Sequence, residues 1–298
     1  MINISDVKVA QILSQRPDLI REAVLEALTE HSNGQIRQIK TSLRKNEDSP
    51  ASDRLTSMMG FVGKPPRVIG FKLIGSSPTN SSIGLPRADV LIILCDQKTH
   101  ALRYIIAGSD ISLRRTAEIA VLGIQHLRTN AKKICIVGAG KLGQTIDSCI
   151  QTRMANVKEV ITYGRESLKQ LGKSGQIPTE VVITATSTDT PLLSELNLRD
   201  VRLVVNLGLR EFSSDTIATF DDYIVDDFKS CASQATPFAD ALRSKLILPE
   251  NVRQLSAIMN APLKINSTRR VYFQPSGMVA IDLLAAAKVL ELSEQGAE

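Results

Sequence analysis

Ile134-Cys-Ile-Val-Gly-Ala-Gly-Lys-Leu-Gly143 is the stretch on which the fold turns. A short apolar run ends in Gly138, Gly140 and Gly143, spaced G-x-G-x-x-G, and Gln144-Thr-Ile-Asp-Ser-Cys-Ile150 can continue as a helix. Strand, tight glycine turn and helix N-terminus come in the order a dinucleotide site needs. Gly138 allows the sharp turn. Gly140 leaves the backbone bare for a pyrophosphate, and Gly143 lets the helix pack close to the strand. Ala139, Lys141 and Leu142 complete the segment, whose free N–H groups meet phosphate oxygens at the helix start. The same letters also fit a strand–helix turn that binds nothing. Lys132-Lys133 before the run, and a second apolar run at Val157–Tyr163, favour the dinucleotide.

Strand and helix candidates alternate from there. The strands are Ile134–Val137, Val160–Tyr163, Val181–Ala185, Leu203–Leu207 and Asp222–Val225. This is the pattern of an α/β, Rossmann-type doubly wound parallel sheet. The link Gly164–Glu180 has room for one helix and no further strand, so the sheet is expected to be trimmed at one edge. Upstream, apolar residues at helical spacing run from Val7 to Glu30, a polar loop spans Asn46–Ser52, and strand candidates follow at Leu55–Phe61, Val68–Ile74, Val90–Leu94 and Tyr104–Ala107. Strands joined by loops, as across the turn-rich Ser76–Arg87, imply antiparallel or mixed pairing. A helix is expected over Leu113–Leu127. A last one, Gly277–Ser293, is apolar on more than one face and so buried, beside Leu113–Leu127. The division expected is a mixed α+β substrate and dimerisation domain, 1–128 plus 270–298, into which the dinucleotide domain, 129–269, is inserted.

Composition narrows the function. The chain is 43% hydrophobic and 22% charged, as an ordinary globular enzyme is, and no apolar run is long enough to span a membrane. The N-terminus reads as carrying no leader, and the scattered Cys95, Cys135, Cys149 and Cys231 read as free thiols in a reducing cytoplasm rather than disulfides or a zinc site. The net charge of +5 is spread out, without the dense basic stripe of a nucleic-acid groove. Positive charge in this amount suits a small anionic ligand.

Position 164 would carry a carboxylate for the ribose of NAD. It is Gly164, followed by Arg165, Glu166 and Ser167. Loss of the acid, with Arg165 and Ser167 at hand for a 2′-phosphate, favours NADP; Arg165 as a solvated loop residue, with Glu166 replacing the acid, is the alternative. Lys72, at a strand end among apolar neighbours, and Arg114-Arg115, opening a helix near Ser112, each read either as anion ligands or as surface residues. Arg44 is uninformative by itself.

The ordered set Gly70-Phe-Lys72, Gly84-Leu-Pro-Arg-Ala88, Leu113-Arg-Arg-Thr-Ala117 and Val137–Gly143 resembles the ornithine cyclodeaminase/mu-crystallin family, over about Ile20–Leu290. The resemblance implies an NAD(P)-dependent oxidoreductase acting on a CH–NH bond of a small amino acid, in a homodimer. It also implies substrate-binding Arg44, Lys72 and Arg115, with Lys72 and Glu211 as the catalytic pair. Glu211 stands where the family has an aspartate. Lys40–Lys45, Asp53-Arg54, Ile224–Phe228 and Gly277–Asp282 resemble the branch that cleaves N-(2-amino-2-carboxyethyl)-L-glutamate oxidatively to 2,3-diaminopropionate and 2-oxoglutarate for siderophore-like metabolites. That likeness favours NAD over NADP. Ornithine cyclodeaminase, imine reductase and a non-catalytic NADPH-binding protein are the other family roles. Glu118 departs from the family's small residue and would place negative charge near the carboxylate pocket.

Overall fold

The computed structural model describes residues 2–46, 53–65, 67–171, 175–188, 190–194, 196–208, 210–261, 266 and 268–295. Most of the polar loop expected at Asn46–Ser52 lies outside them. The chain divides into two units, Met1–Arg115 with Met278–Glu298, and Thr116–Gly277.

The first unit begins with β1 (Ile2–Ile4), α1 (Asp6–Gln15) and α2 (Leu19–Ser32). The helical pattern of Val7–Glu30 is two helices because Pro17 biases Arg16 away from helical angles. Ser5 caps α1, its hydroxyl accepting from Lys8 N. Then come β2 (Ile36–Arg44), β3 (Arg54–Val62), β4 (Val68–Ser76), β5 (Ala88–Cys95) and β6 (Leu102–Ala107), and α3 (Ser109–Leu127), within which the unit boundary falls. The six strands run β1-β6-β5-β4-β3-β2, antiparallel except for β1 against β6.

One face of this sheet carries α10 (Val279–Gln295), which also packs on α2. The close approach requires Gly70: a Cβ there would stand 2.2 Å from Ile93 O and 2.9 Å from Leu283 Cδ2. Ten residues of α10 are buried, which explains its apolar character on several sides. The opposite face alternates the other way and exposes Ile39, Leu43, Leu55, Phe61, Leu73 and Leu91.

The second unit contains β7 (Lys133–Val137), α4 (Lys141–Arg153), β8 (Glu159–Tyr163), α5 (Arg165–Gln170), β9 (Val181–Thr184), β10 (Leu203–Asn206), α6 (Ser214–Ile217) and β11 (Asp222–Val225). It continues through α7 (Phe228–Ser233), α8 (Pro237–Arg243), β12 (Val252–Gln254), α9 (Leu255–Asn260) and β13 (Val271–Gln274). Its seven strands are all parallel, in the order β12-β11-β13-β10-β9-β7-β8. The sheet ends at β8 on one side, as the short link after that strand implied. On the other side β13 lies between β10 and β11, so residues to Gly277 belong to this unit, and the boundaries fall at 115/116 and 277/278 rather than 128/129 and 269/270. No helix among the described residues is long and apolar enough to cross a membrane.

Candidate active site

In the second unit the glycine turn has the geometry its spacing implied. Gly138 has φ +130°, and a Cβ on it would lie 2.5 Å from Ala185 O. A Cβ on Gly143 would stand 1.8 Å from Gly138 O, so only glycine lets α4 start this close to β7. A Cβ on Gly140 would meet nothing within 4 Å: there the backbone faces open space. Gly140 caps α4 without a side-chain bond, leaving the first N–H groups to a ligand. A cavity of about 690 Å³ opens beside it, lined among others by Gly138, Gly140, Tyr163, Gly164, Arg165 and Thr186. Bare backbone, a helix start and a large cavity at the carboxyl ends of parallel strands fit a dinucleotide.

At the end of β8 the exposed Arg165 lines the cavity. The Ser167 hydroxyl is engaged at home, accepting from Gly164 N at 2.9 Å, and the exposed Glu166 pairs with Lys169 at 3.0 Å. A Cβ at Gly164 would make only an ordinary 3.6 Å contact with Ala139 Cβ. The missing carboxylate is therefore a matter of chemistry, not of space.

Glu211, fully buried, accepts from Thr186 Oγ1 at 2.5 Å and from Arg210 N at 3.2 Å. Burial pushes its carboxyl above the usual range, against the lowering effect of the Thr186 bond, so it can hold a proton nearer neutrality than an exposed acid. Its carboxylate sits where a Cβ on Gly208 would be, 1.7 Å from that position.

The first unit holds a buried charge cluster of its own. Lys72 Nζ donates to Asp282 Oδ1 at 2.6 Å and to Ser112 Oγ at 2.7 Å; Arg115 Nε donates to the same Asp282 Oδ1 at 3.3 Å. Lys72 and Asp282 are fully buried. Burial, and then the Arg115 charge, bring the Lys72 ammonium down to about 7, while Asp282 pulls the other way. Two cations share one carboxylate, so with Lys72 protonated the cluster as described is one negative charge short, which suits it to an anion.

Several expectations change. Lys72 is mid-strand in β4, not at a strand end. Arg114 and Arg115 lie in the second turn of α3, so no helix start assists them; Arg114 pairs with Asp110 at 3.1 Å on the surface. Glu118 is taken up by Arg153 at 3.1 Å and adds no free negative charge. Arg44 is at the end of β2, two rows along the sheet from the strand partner of Lys72. Asp282 and Ser112 were missed as site residues. The signal for Asp282 was an acid within Val279-Ala-Ile-Asp-Leu-Leu284.

The family model of ornithine cyclodeaminase/mu-crystallin matches residues 2–189, more than half of the chain. The chain belongs to the ornithine cyclodeaminase/mu-crystallin family. Among curated relatives, the N-((2S)-2-amino-2-carboxyethyl)-L-glutamate dehydrogenase of Staphylococcus aureus is 24% identical, over 99% of this chain and 95% of that one. The fold is that of the Delta(1)-pyrroline-2-carboxylate reductase of Thermococcus litoralis, solved with NADH and L-proline: TM-score 0.83, 19% identity, 100% of this chain and 98% of that one. An archaeal alanine dehydrogenase dimer with bound NAD matches at TM-score 0.78 and 19% identity, over 99% of this chain and 97% of that one.

Two outcomes follow for this family member. Gly140→Asp puts a carboxylate into the open space at the α4 start and should abolish calorimetric binding of NAD and NADP while the far-ultraviolet dichroism stays as in the wild type. Lys72, with its pKa near 7, binds a carboxylate best when protonated. Affinity for an amino-acid carboxylate should therefore fall as pH rises through about 7 and level off below it, read by calorimetry across pH 6–9.

Proposed function

We propose that this chain catalyses the oxidative cleavage of N-(2-amino-2-carboxyethyl)-L-glutamate to 2,3-diaminopropionate and 2-oxoglutarate, as a step in siderophore-like metabolism. In coarser terms it is an NAD(P)-dependent oxidoreductase acting on a CH–NH bond. The observation that carries the reading is the buried Lys72–Asp282–Arg115 cluster, one negative charge short, in a chain whose glycine turn is open to a pyrophosphate. The full-length likeness to the Staphylococcus aureus dehydrogenase supports the choice of substrate.

Lys72 and Arg115 hold the α-carboxylate and fix the direction of the neighbouring C–H bond, a positioning effect. A nicotinamide dinucleotide held at the Gly138–Gly143 turn would supply the hydride acceptor for that carbon. The C–N bond becomes an imine, water adds to its carbon, and the C–N bond then breaks to give a keto acid and a free amine. Glu211 moves the proton between water and the departing nitrogen, which its raised pKa suits. Run in reverse the same groups reduce an imine, the reaction named in the pyrroline-2-carboxylate reductase relatives. NADP is the cofactor favoured by Gly164 and by Arg165 at the cavity; NAD is the one named in the structural neighbours.

The test is turnover of the adduct, L-proline and L-ornithine with NAD and with NADP, the products read by mass spectrometry. Release of 2,3-diaminopropionate is expected. Glu211→Gln keeps size and hydrogen bonding but cannot take a proton, so kcat should fall about 100-fold or more with KM near the wild-type value. Arg165→Ala should narrow a preference for NADP; a wild-type preference for NAD would return the ribose to Glu166. Tight NADPH binding without turnover would mark a non-catalytic member.

A second copy of this chain is the proposed occupant of the exposed sheet face bearing Leu43, Leu55, Phe61 and Leu73. Light scattering should show a homodimer at micromolar concentration. Leu55→Asp with Leu73→Asp, placing two charges on that face, should give the monomer; a wild-type monomer would overturn the assignment.

A further inference from the structure

We propose that Arg54, flanked by Arg44 and Arg87, forms a second anion subsite on the Lys72 face of the sheet and takes the distal carboxylate of a substrate carrying at least two. This rests on the oxidoreductase reading and narrows its substrate class.

Strand register places the groups. Lys40, Met58 and Lys72 face one another across β2, β3 and β4; the next row on the same face is Ser42, Thr56 and Ile74; the next is Arg44, Arg54 and Ser76. The Lys72 and Arg54 rows are four residues apart, roughly 13 Å between backbones. The floor between them is polar, with Ser42 Oγ and Thr56 Oγ1 2.8 Å apart in a hydrogen bond. Arg87 joins from the next segment, its carbonyl accepting from Ser77 N at 3.0 Å. A cavity of about 400 Å³ opens at this end of the strands, lined by Arg44, Lys45, Asp53 and Arg54, and by Leu43 and Leu55 of the opposite face, among others.

Three guanidinium groups gathered here repel one another. Burial first, and then the charges of Arg44 and Arg87, hold the Arg54 guanidinium below its usual value. Arg54 Nε is buried and has no hydrogen-bond partner among the described residues. Asp53 nearby pairs with Lys45 at 3.5 Å. An anion relieves the repulsion and gives Arg54 an acceptor, and a carboxylate matches the guanidinium fork. A cyclic imine with one carboxylate uses Lys72 and Arg115 and leaves Arg54 unmatched. An adduct of two amino acids, one of them acidic, spans about 7–10 Å, the length of two to three extended residues. The long Lys72 and Arg54 side chains add their own length to that span, and the proposal has the adduct bridge both rows.

The experiment uses the full chain with Arg54→Met and Arg87→Met, and the adduct N-(2-amino-2-carboxyethyl)-L-glutamate and L-proline as probes. Calorimetry gives affinities, steady-state kinetics give kcat/KM where turnover occurs, and thermal melting checks the fold. The subsite predicts an adduct affinity lower by about tenfold or more in each variant, a loss at least tenfold larger than for L-proline, and an unchanged or raised Tm as like-charge repulsion is relieved. Unchanged adduct affinity, equal losses on both probes, or no adduct binding to the wild type would overturn it. If the wild type turns over neither probe, yet binds the adduct with an affinity that drops in Arg54→Met, the oxidoreductase reading fails and the subsite stands.

Discussion

Everything in the first unit is arranged around one buried carboxylate. Asp282 lies 210 residues from Lys72 and 167 from Arg115, and it meets both with a single oxygen. It joins the last helix to the middle of the sheet and to the second turn of α3. Removing ions from water costs several kcal/mol each, so such a cluster is tolerated only with good geometry and few unmatched charges. With Lys72 protonated one cation of the cluster is unmatched, and Asp282 Oδ2 is buried without a hydrogen-bond partner among the described residues. An arrangement selected for stability alone would balance its charges. An arrangement built to receive an anion need not, which is the sense in which the proposed substrate carboxylate would complete it.

The second unit solves a different problem, holding an acid still without silencing it. β9, β10 and β13 end side by side in Thr184, Asn206 and Gln274, which bond to one another: Thr184 Oγ1 to Asn206 Oδ1 at 2.6 Å, Asn206 Nδ2 to Gln274 Oε1 at 2.9 Å, with Tyr272 OH on Gln274 Oε1 at 3.0 Å. These buried polar groups satisfy each other and fix the carboxyl ends of the strands, where ligands bind in open parallel sheets. Glu211 leans on Gly208, just past β10, where any side chain would displace it. None of its bonds as described comes from a cationic side chain, which is why burial prevails and the proton is held more tightly.

Legibility in the sequence followed the range of the interactions. β7 and α4 were readable because three glycines within six residues encode a local turn with specific steric demands. β2 was hidden because its inward residues, Lys40, Ser42 and Arg44, are polar and it sits at the sheet edge. β13 was hidden because four residues, Val271-Tyr-Phe-Gln274, carry no period, and only pairing with β10 and β11 defines them. Lys72 was equivocal on its neighbours alone, and the resemblance gave it a role. Arg54, Arg87 and Asp282 stood within quoted motifs without roles, since their meaning depends on partners far along the chain or across strands.

On the proposed reading, the two ends of the sheet face divide the work of holding a substrate. The requirement common to amino acids and their imines is one carboxylate beside the reacting carbon, and the residue proposed to meet it, Lys72, is in mid-strand, where packing under α10 restricts change. What distinguishes one substrate from another lies further out, and there the sheet offers strand ends and the loop before β5. Substitutions at such positions alter charge without reopening the core, because side chains at strand ends make few buried contacts. Arg44, Arg54 and Arg87 occupy that outer ground. Their charges weigh on one another at Arg54, and Asp53 lies beside them, so the proposed ligand is one that adds an acceptor for the Arg54 Nε.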